Sequence, residues 1–360
     1  MHWPVPATDD DVAKIPQGAF RRLPGGDARY RGFTHTLEKR PDGKCAFLAS
    51  DNRCELHTAR GIDAKPAMCK LFPYSFTPTP TGFYLYVSFA SSGVIANSGR
   101  LLTDQEPEMR EQLELFQRLF AHVDGDWSGA QLIDGVPLAW QDFIALEQEA
   151  TAPFETRQPR LDTIESLLRF SRLIQSSLPR DVDTERLPPV AAGPQDVDKL
   201  LLATLAKLYW PEDVFSNGVF DLDGRALMSS LVLSGSAATV TIFGVSTLSE
   251  LRQSRAQLTD DAEDLLNRWV YSRLFAKLYF GRAYAHLSLL AGVHHLLAVV
   301  ALVRMHAKAV GANSLFEVGE ILRTVERRMS QMNFSRESCA MLEILLCSAS
   351  RAERVHELAR

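Results

Sequence analysis

Cysteine is scarce in this 360-residue chain: five residues, an odd number that argues against a disulfide framework. Several nucleotide and hydrolase signatures are also missing. No G-x-G-x-x-G follows a predicted strand, no G-x-x-x-x-G-K-[ST] occurs, and there is no G-x-S-x-G elbow. Rossmann-type methyltransferases, P-loop enzymes and α/β-hydrolases therefore gain no support. Positive charge is not in excess. The formal net charge of −5 gives no global pull toward nucleic acid or anionic membrane. The segment Met1-His2-Trp3-Pro4-Val5-Pro6 lacks a basic n-region and an apolar h-region, so no secretory signal is expected.

Long uncharged runs are few. Ala226–Ser249 is rich in Ser, Thr and Gly and reads as strand or loop. Ala283–Val303 is flanked by Arg282 and Arg304 and is long enough to span a bilayer. It contains His286, His294 and His295, which would be costly in lipid, so a buried helix of an all-α domain is the expectation. A cytoplasmic protein without a membrane span follows.

What is present is ordinary in bulk and uneven in distribution. Hydrophobic residues make up 46% and charged residues 23%, as in soluble globular proteins. At this length two domains are the default. Residues 1–80 carry 12 Lys/Arg against 9 Asp/Glu, whereas residues 103–150 carry 2 against 11. Solvated helix faces account for the acidic stretch.

The fold class expected is α+β, with a small irregular cysteine-cluster domain at 1–100 and a mostly α-helical bundle at 101–360. Thr8 caps a short helical turn that Pro16 ends. Tyr30–Glu38 and Phe83–Phe89 read as strands, with Pro78, Pro80 and Gly82 as a loop before the second. Helical spacing begins at Thr103 and recurs over Leu138–Glu149, Leu161–Leu178 and Val197–Leu208. It returns over Thr259–Tyr279, Tyr284–Ala309, Leu315–Met329 and Arg336–Arg354. Residues 179–196, rich in proline, look like a linker, and Gly218–Val245 suggests a β-hairpin. No internal repeat is evident.

Chemistry concentrates in one 25-residue window containing Cys45, Cys54, His57 and Cys69. Thiolates and imidazoles hold zinc and iron–sulfur centres, and a chain poor in regular core gains a staple from such a metal. The spacing Cys-x8-Cys-x2-His-x11-Cys is not a paired CxxC knuckle. Two readings stay open: metal ligands, or three cysteines acting as small apolar core residues.

The ordered phrases Cys45-Ala46-Phe47-Leu48, Cys54-Glu55-Leu56-His57 and Lys65-Pro66-x2-Cys69-x2-Phe72-Pro73 resemble the second half of the CxxCxxCC cysteine-cluster family. That family is described as zinc- or iron-chelating and includes the flagellin lysine N-methylases. Ala139–Phe143 and Tyr271–Phe280 are similar to helical segments of its long members. The resemblance implies Cys45, Cys54 and Cys69 as ligands with His57 as candidate fourth, holding zinc or an iron–sulfur cluster. It implies a helical region that recognises a protein partner such as flagellin. Its alternative is a protein-lysine N-methylase using S-adenosylmethionine, and a further alternative is a degenerate scaffold without metal. The namesake CxxCxxCC, expected just ahead of Trp3, is not in the chain, and Val87–Ser92 lacks a further expected cysteine. A start downstream of that motif and a loss of half the ligands both account for this.

Outside the window, His286 and His294 are eight residues apart, about 12 Å along a helix, too far to share one ion unaided. Isolated histidines on a packed or partly exposed helix are expected. Cys339 and Cys347 are expected to pack in the core. Arg268, Arg273, Lys277 and Arg282 give one helix a basic side, read as a solvated face, with anion binding by Arg273 and Lys277 as the alternative.

Overall fold

The computed structural model describes residues 4–15, 18–24, 30–155, 162–179, 196–210, 221–222, 241–242, 246–247, 257–330, 333–348 and 350–359. Along the chain the first elements are β1 (Pro6–Ala7), α1 (Asp9–Lys14), β2 (Phe20–Arg22), β3 (His35–Leu37), α2 (Glu55–Arg60) and α3 (Ala67–Leu71). Then come β4 (Tyr74–Thr79), β5 (Gly82–Val87), α4 (Ser92–Ile95), α5 (Glu106–Leu119), β6 (Gln131–Ile133), β7 (Val136–Pro137), α6 (Trp140–Glu155), α7 (Thr163–Ser176) and α8 (Asp196–Tyr209). Three short strands follow: β8 (Asp221–Leu222), β9 (Thr241–Ile242) and β10 (Ser246–Thr247). The C-terminal part holds α9 (Asp260–Phe275), α10 (Leu289–Val310), α11 (Leu315–Met329), β11 (Asn333–Phe334), α12 (Arg336–Leu346) and α13 (Arg351–Ala359). The class is α+β: mostly helix, with small sheets of two or three strands.

Two compact units form, and they do not divide at residue 100. The first draws on 1–76 and 99–124, and the second on 77–98 and most of the chain from 125 onward. The β4–β5 pair runs into the helical unit, and α5 belongs to the unit that holds the cysteines.

In the first unit, β3 is the centre of a three-stranded antiparallel sheet between β1 and β2. Ala7, Ile15, Phe33, Leu37, Leu56, Leu71, Phe76 and Phe116 are its buried hydrophobic residues. The α5 helix presents Phe116 and Phe120 to this core, where Phe76 and Phe33 meet them at ring separations of 5.5 and 5.8 Å. Thr8 caps α1 in a capping box with Asp11, as its position ahead of an acidic first turn predicts.

In the second unit α10 is the central helix, packed by α7, α8, α11, α12 and α13. Its residues Leu289–Val303 are all buried. The helix is long and apolar enough to cross a membrane, yet its apolar stretch is covered by protein on every face. It starts at Leu289 under a Ser288 cap, five residues later than the spacing predicts. The preceding loop explains the delay: Lys277, Gly281, Ala285 and His286 take left-handed backbone, and Gly281 bridges to Leu287. For the same reason α9 ends at Phe275 rather than Tyr279. The C-terminal helix expected over Arg336–Arg354 is two helices, interrupted around Cys347. Expected strands shorten to His35–Leu37 and Gly82–Val87, and Pro78 lies within β4 rather than in a loop. The proline-rich 179–196 segment lies almost wholly outside the described residues. So does most of the hairpin expected in 218–245; at its far edge β9 pairs antiparallel with β10.

Candidate functional site

Cys45 and Cys54 are delivered by turns of the same construction. Asp42 Oδ1 accepts from the Lys44 N–H at 3.0 Å, and Asp51 Oδ1 accepts from the Arg53 N–H at 3.0 Å. The residue inside each turn, Gly43 or Asn52, is left-handed with φ of 79° or 63°, which these two residue types tolerate best. The phrase Asp-[Gly/Asn]-[Lys/Arg]-Cys thus occurs twice, nine residues apart, a short repeat that the expectation of none overlooked. A β-bridge follows each turn's logic: Cys45 pairs with Lys39, and Cys54 with Leu48.

Cys69 comes from a third device. It sits on α3, entered through Pro66, and the Ala67 N–H is held by the buried Asp11 carboxylate at 3.0 Å. Burial is the main influence on the Cys69 thiol, pushing it up to about 11. Lys65 and Lys39 oppose that rise, while Cys45 and Cys54 reinforce it. Each of the other two thiols therefore lies within electrostatic reach of Cys69. His57 is exposed on α2 and is not among the groups acting on Cys69. All five cysteines of the chain are free and half-buried.

The donor chemistry suits zinc or an iron–sulfur centre, but the placement does not complete a ligand set. Among the described residues no group of three or more His, Cys, Asp or Glu side chains is arranged to hold a metal ion.

The second unit corrects two readings of the sequence. Arg273 and Lys277 form no solvated basic face; both are buried, at 4% and 2% exposure, and each faces its own buried carboxylate. Glu326 on α11 is the better served of the two acids. Its Oε1 accepts from Tyr86 Oη at 2.7 Å and Ser88 Oγ at 3.0 Å, and its Oε2 from Trp269 Nε1 at 3.1 Å and Arg273 at 2.7 Å. Burial alone would raise this carboxyl; Arg273 and the other donors hold it below the usual range.

Glu147 on α6 is different. It pairs with Lys277 through Oε2. Burial pushes its carboxyl up to about 7 against the opposing pull of Lys277 and of a hydrogen bond from the buried Tyr279 hydroxyl. Burial likewise lowers the Lys277 ammonium, with Glu147 resisting. Three rings close around Nζ: Tyr84 at 3.9 Å, Phe275 at 5.6 Å and Phe143 at 5.8 Å from the centroids. The acidic stretch at 103–150 is thus not wholly a solvated face. Nothing in local spacing announces a Glu–Lys partnership across 130 residues.

The histidines are structural in geometry. His294 meets Ser171 Oγ and the Leu346 carbonyl at 2.7 Å each, and His295 meets Tyr209 Oη at 2.6 Å beneath the stacked Tyr284 ring. His286 is not on their helix. Cys347 packs, partly buried, against the helical core as expected, and burial with the neighbouring Glu343 pushes its thiol up to about 12, while Cys339 is half-buried.

No family model, no curated protein and no solved structure matches the chain.

Proposed function

We propose that this chain is a cysteine-cluster metal protein whose first unit collects zinc or an iron–sulfur centre on Cys45, Cys54 and Cys69. His57 is the candidate fourth ligand. One observation carries the reading: Cys45 and Cys54, presented by two turns of the same construction, both act electrostatically on Cys69. The repeated Asp-closed turns supply the pre-organisation that such ligands need. Bound metal would lower the thiol pKa values and tie the three turns together, which suits a unit whose sheet has strands of two or three residues. The helical unit would then serve partner recognition, as the resemblance implies.

The absence of a preset ligand group among the described residues favours a second reading, a metal-free scaffold of the same ancestry. Anaerobic purification followed by metal analysis and an ultraviolet–visible spectrum separates the two. The metal reading expects about one equivalent of zinc, or the absorption of an iron–sulfur centre, lost in Cys69→Ser. Protein that retains no metal and takes up none from micromolar zinc would leave the scaffold reading.

A further inference from the structure

We propose that Ser92 is a phosphoacceptor serine, with Arg323 and Arg327 on α11 as the receiving site for its phosphate. Within the second unit, residues 88–95 run antiparallel alongside α11. Ser88 Oγ reaches Glu326 at 3.0 Å, Ser92 Oγ meets Arg323 Nη2 at 3.0 Å, and Ile95 occupies the space that Gly319 leaves. Arg327 follows Arg323 by one turn on the same face of the helix and is next to Glu326, so it flanks the stretch that carries Ser92. The far end of α4 is pinned as well: Arg268 donates to the Val94 and Ile95 carbonyls at 2.9 and 3.0 Å. Ser92 is thus an exposed hydroxyl on a clamped mount.

The groups around that hydroxyl suit a phosphate better than they suit an alcohol. The Arg323 side chain is 15% exposed and donates to a neutral serine oxygen, while the acid it pairs with, Glu320, is 66% exposed and free to swing into water. A guanidinium bonds a phosphate dianion more strongly than a hydroxyl, and can do so through two parallel N–H donors. Asp264 on α9 is engaged by Arg268, and Glu326 by Arg273, so neither is a loose acid facing the site. Burial and then like-charge repulsion from Arg323 lower Arg327, with Glu320 opposing, and a dianion beside both arginines relieves that repulsion. The phosphate would take the place of Glu320 on Arg323 and tie α4 to α11 by charge.

The co-reactants are a nucleoside triphosphate and a protein kinase. The Ser92 Oγ lone pair attacks the γ-phosphorus, and the bond from that phosphorus to the bridging β-phosphate oxygen breaks. Its electron pair leaves with the nucleoside diphosphate, and the hydroxyl proton passes to the base of the kinase.

Full-length protein made with phosphoserine in place of Ser92 tests the assignment. Its phosphorus-31 resonance should titrate at about pH 5 rather than at the ordinary ~6, because the two guanidiniums favour the dianion. Its urea midpoint should also rise above that of the unmodified protein. Both effects should vanish in Arg323→Ala and weaken in Arg327→Ala. Each modified protein is compared with its own unmodified background, so a variant of lower stability still reports. A phosphate titrating near pH 6, a midpoint that falls on modification, or a lowered value that survives Arg323→Ala would overturn the proposal. So would an equal rise in the midpoint of unmodified protein on adding millimolar inorganic phosphate, which would mark a site for the free anion instead.

Discussion

The backbone N–H of Ala67 donates to Oδ1 of Asp11 at 3.0 Å, joining segments 56 residues apart. The other oxygen of the same carboxylate accepts from the Thr8 N–H and hydroxyl at 3.0 and 3.1 Å. One buried side chain thus caps α1 and fixes the approach to Cys69. Asp11→Ala should destabilise the first unit by about 2–4 kcal/mol, since three donors lose their acceptor in a largely buried place. Asp11→Asn, which keeps one good acceptor oxygen, should lose about half as much. Urea unfolding followed by a probe in the first unit measures both; equal stability of Asp11→Ala and wild type would contradict the role given to this carboxylate.

Removing Glu326 should be among the most damaging single changes in the second unit. Glu326→Ala strands the Arg273 guanidinium in a site that excludes water, for an expected loss of about 3–5 kcal/mol. The double change Glu326→Leu with Arg273→Met removes the uncompensated charge and should recover more than half of that loss. A double variant no more stable than Glu326→Ala would show that the network matters through its neutral donors, Tyr86, Ser88 and Trp269, rather than through the ion pair.

Acid should weaken the helical unit through its histidines. Burial pushes His294 down to about 4, His295 to about 3 and His306 to about 4. Unfolded imidazoles titrate near pH 6.5. Between those limits the unfolded chain binds protons that the native chain refuses, so this stability is fully present above pH 6.5 and declines as pH falls toward 4. Each imidazole contributes a slope of about 1.4 kcal/mol per pH unit. Denaturant unfolding from pH 7 to 4.5 should display that slope, and His295→Gln should reduce it by roughly a third. A flat profile would mean that these rings accept protons in the folded state.

Gly292 lies where α10 passes close to the chain after α9. A Cβ built there would meet the Tyr279 carbonyl oxygen at 2.4 Å and Phe280 Cβ at 2.8 Å. Alanine normally gains about 1 kcal/mol over glycine inside a helix. Here the clash with main chain should outweigh that gain, and Gly292→Ala should lose about 1–3 kcal/mol net. At Gly319 the nearest neighbour is Ile95 Cγ2 at 2.7 Å, a side-chain atom with some freedom to move, so Gly319→Ala should be milder. Thermal unfolding of the two variants side by side checks the order.

Much of the helical part was legible because its signals are local. Periodicity placed α7, α8, α10 and α11, and caps such as Thr8 and Thr259 stand directly before their helices. The ends were less legible wherever left-handed residues other than glycine intervene: Lys277, Ala285 and His286 carry no sequence mark of that conformation. The chemistry of the second unit was hidden for a different reason. Arg273 and Lys277, four apart on a charged helix, look like an exposed stripe until Glu326 and Glu147 arrive from distant segments. In the cysteine window the sequence named the thiols, and the Asp42 and Asp51 turns show how two of them are presented. The resemblance that supplied the ligand set speaks to ligand identity, whereas the distance between ligands depends on the packing of all three turns.

The way the chain is shared between its two units has a practical consequence. A cut near residue 100 would not liberate either one intact. The N-terminal piece would leave without α5 and so without Phe116 and Phe120, while the remainder would be stripped of Tyr86 and Ser88, two of the four groups that hold Glu326.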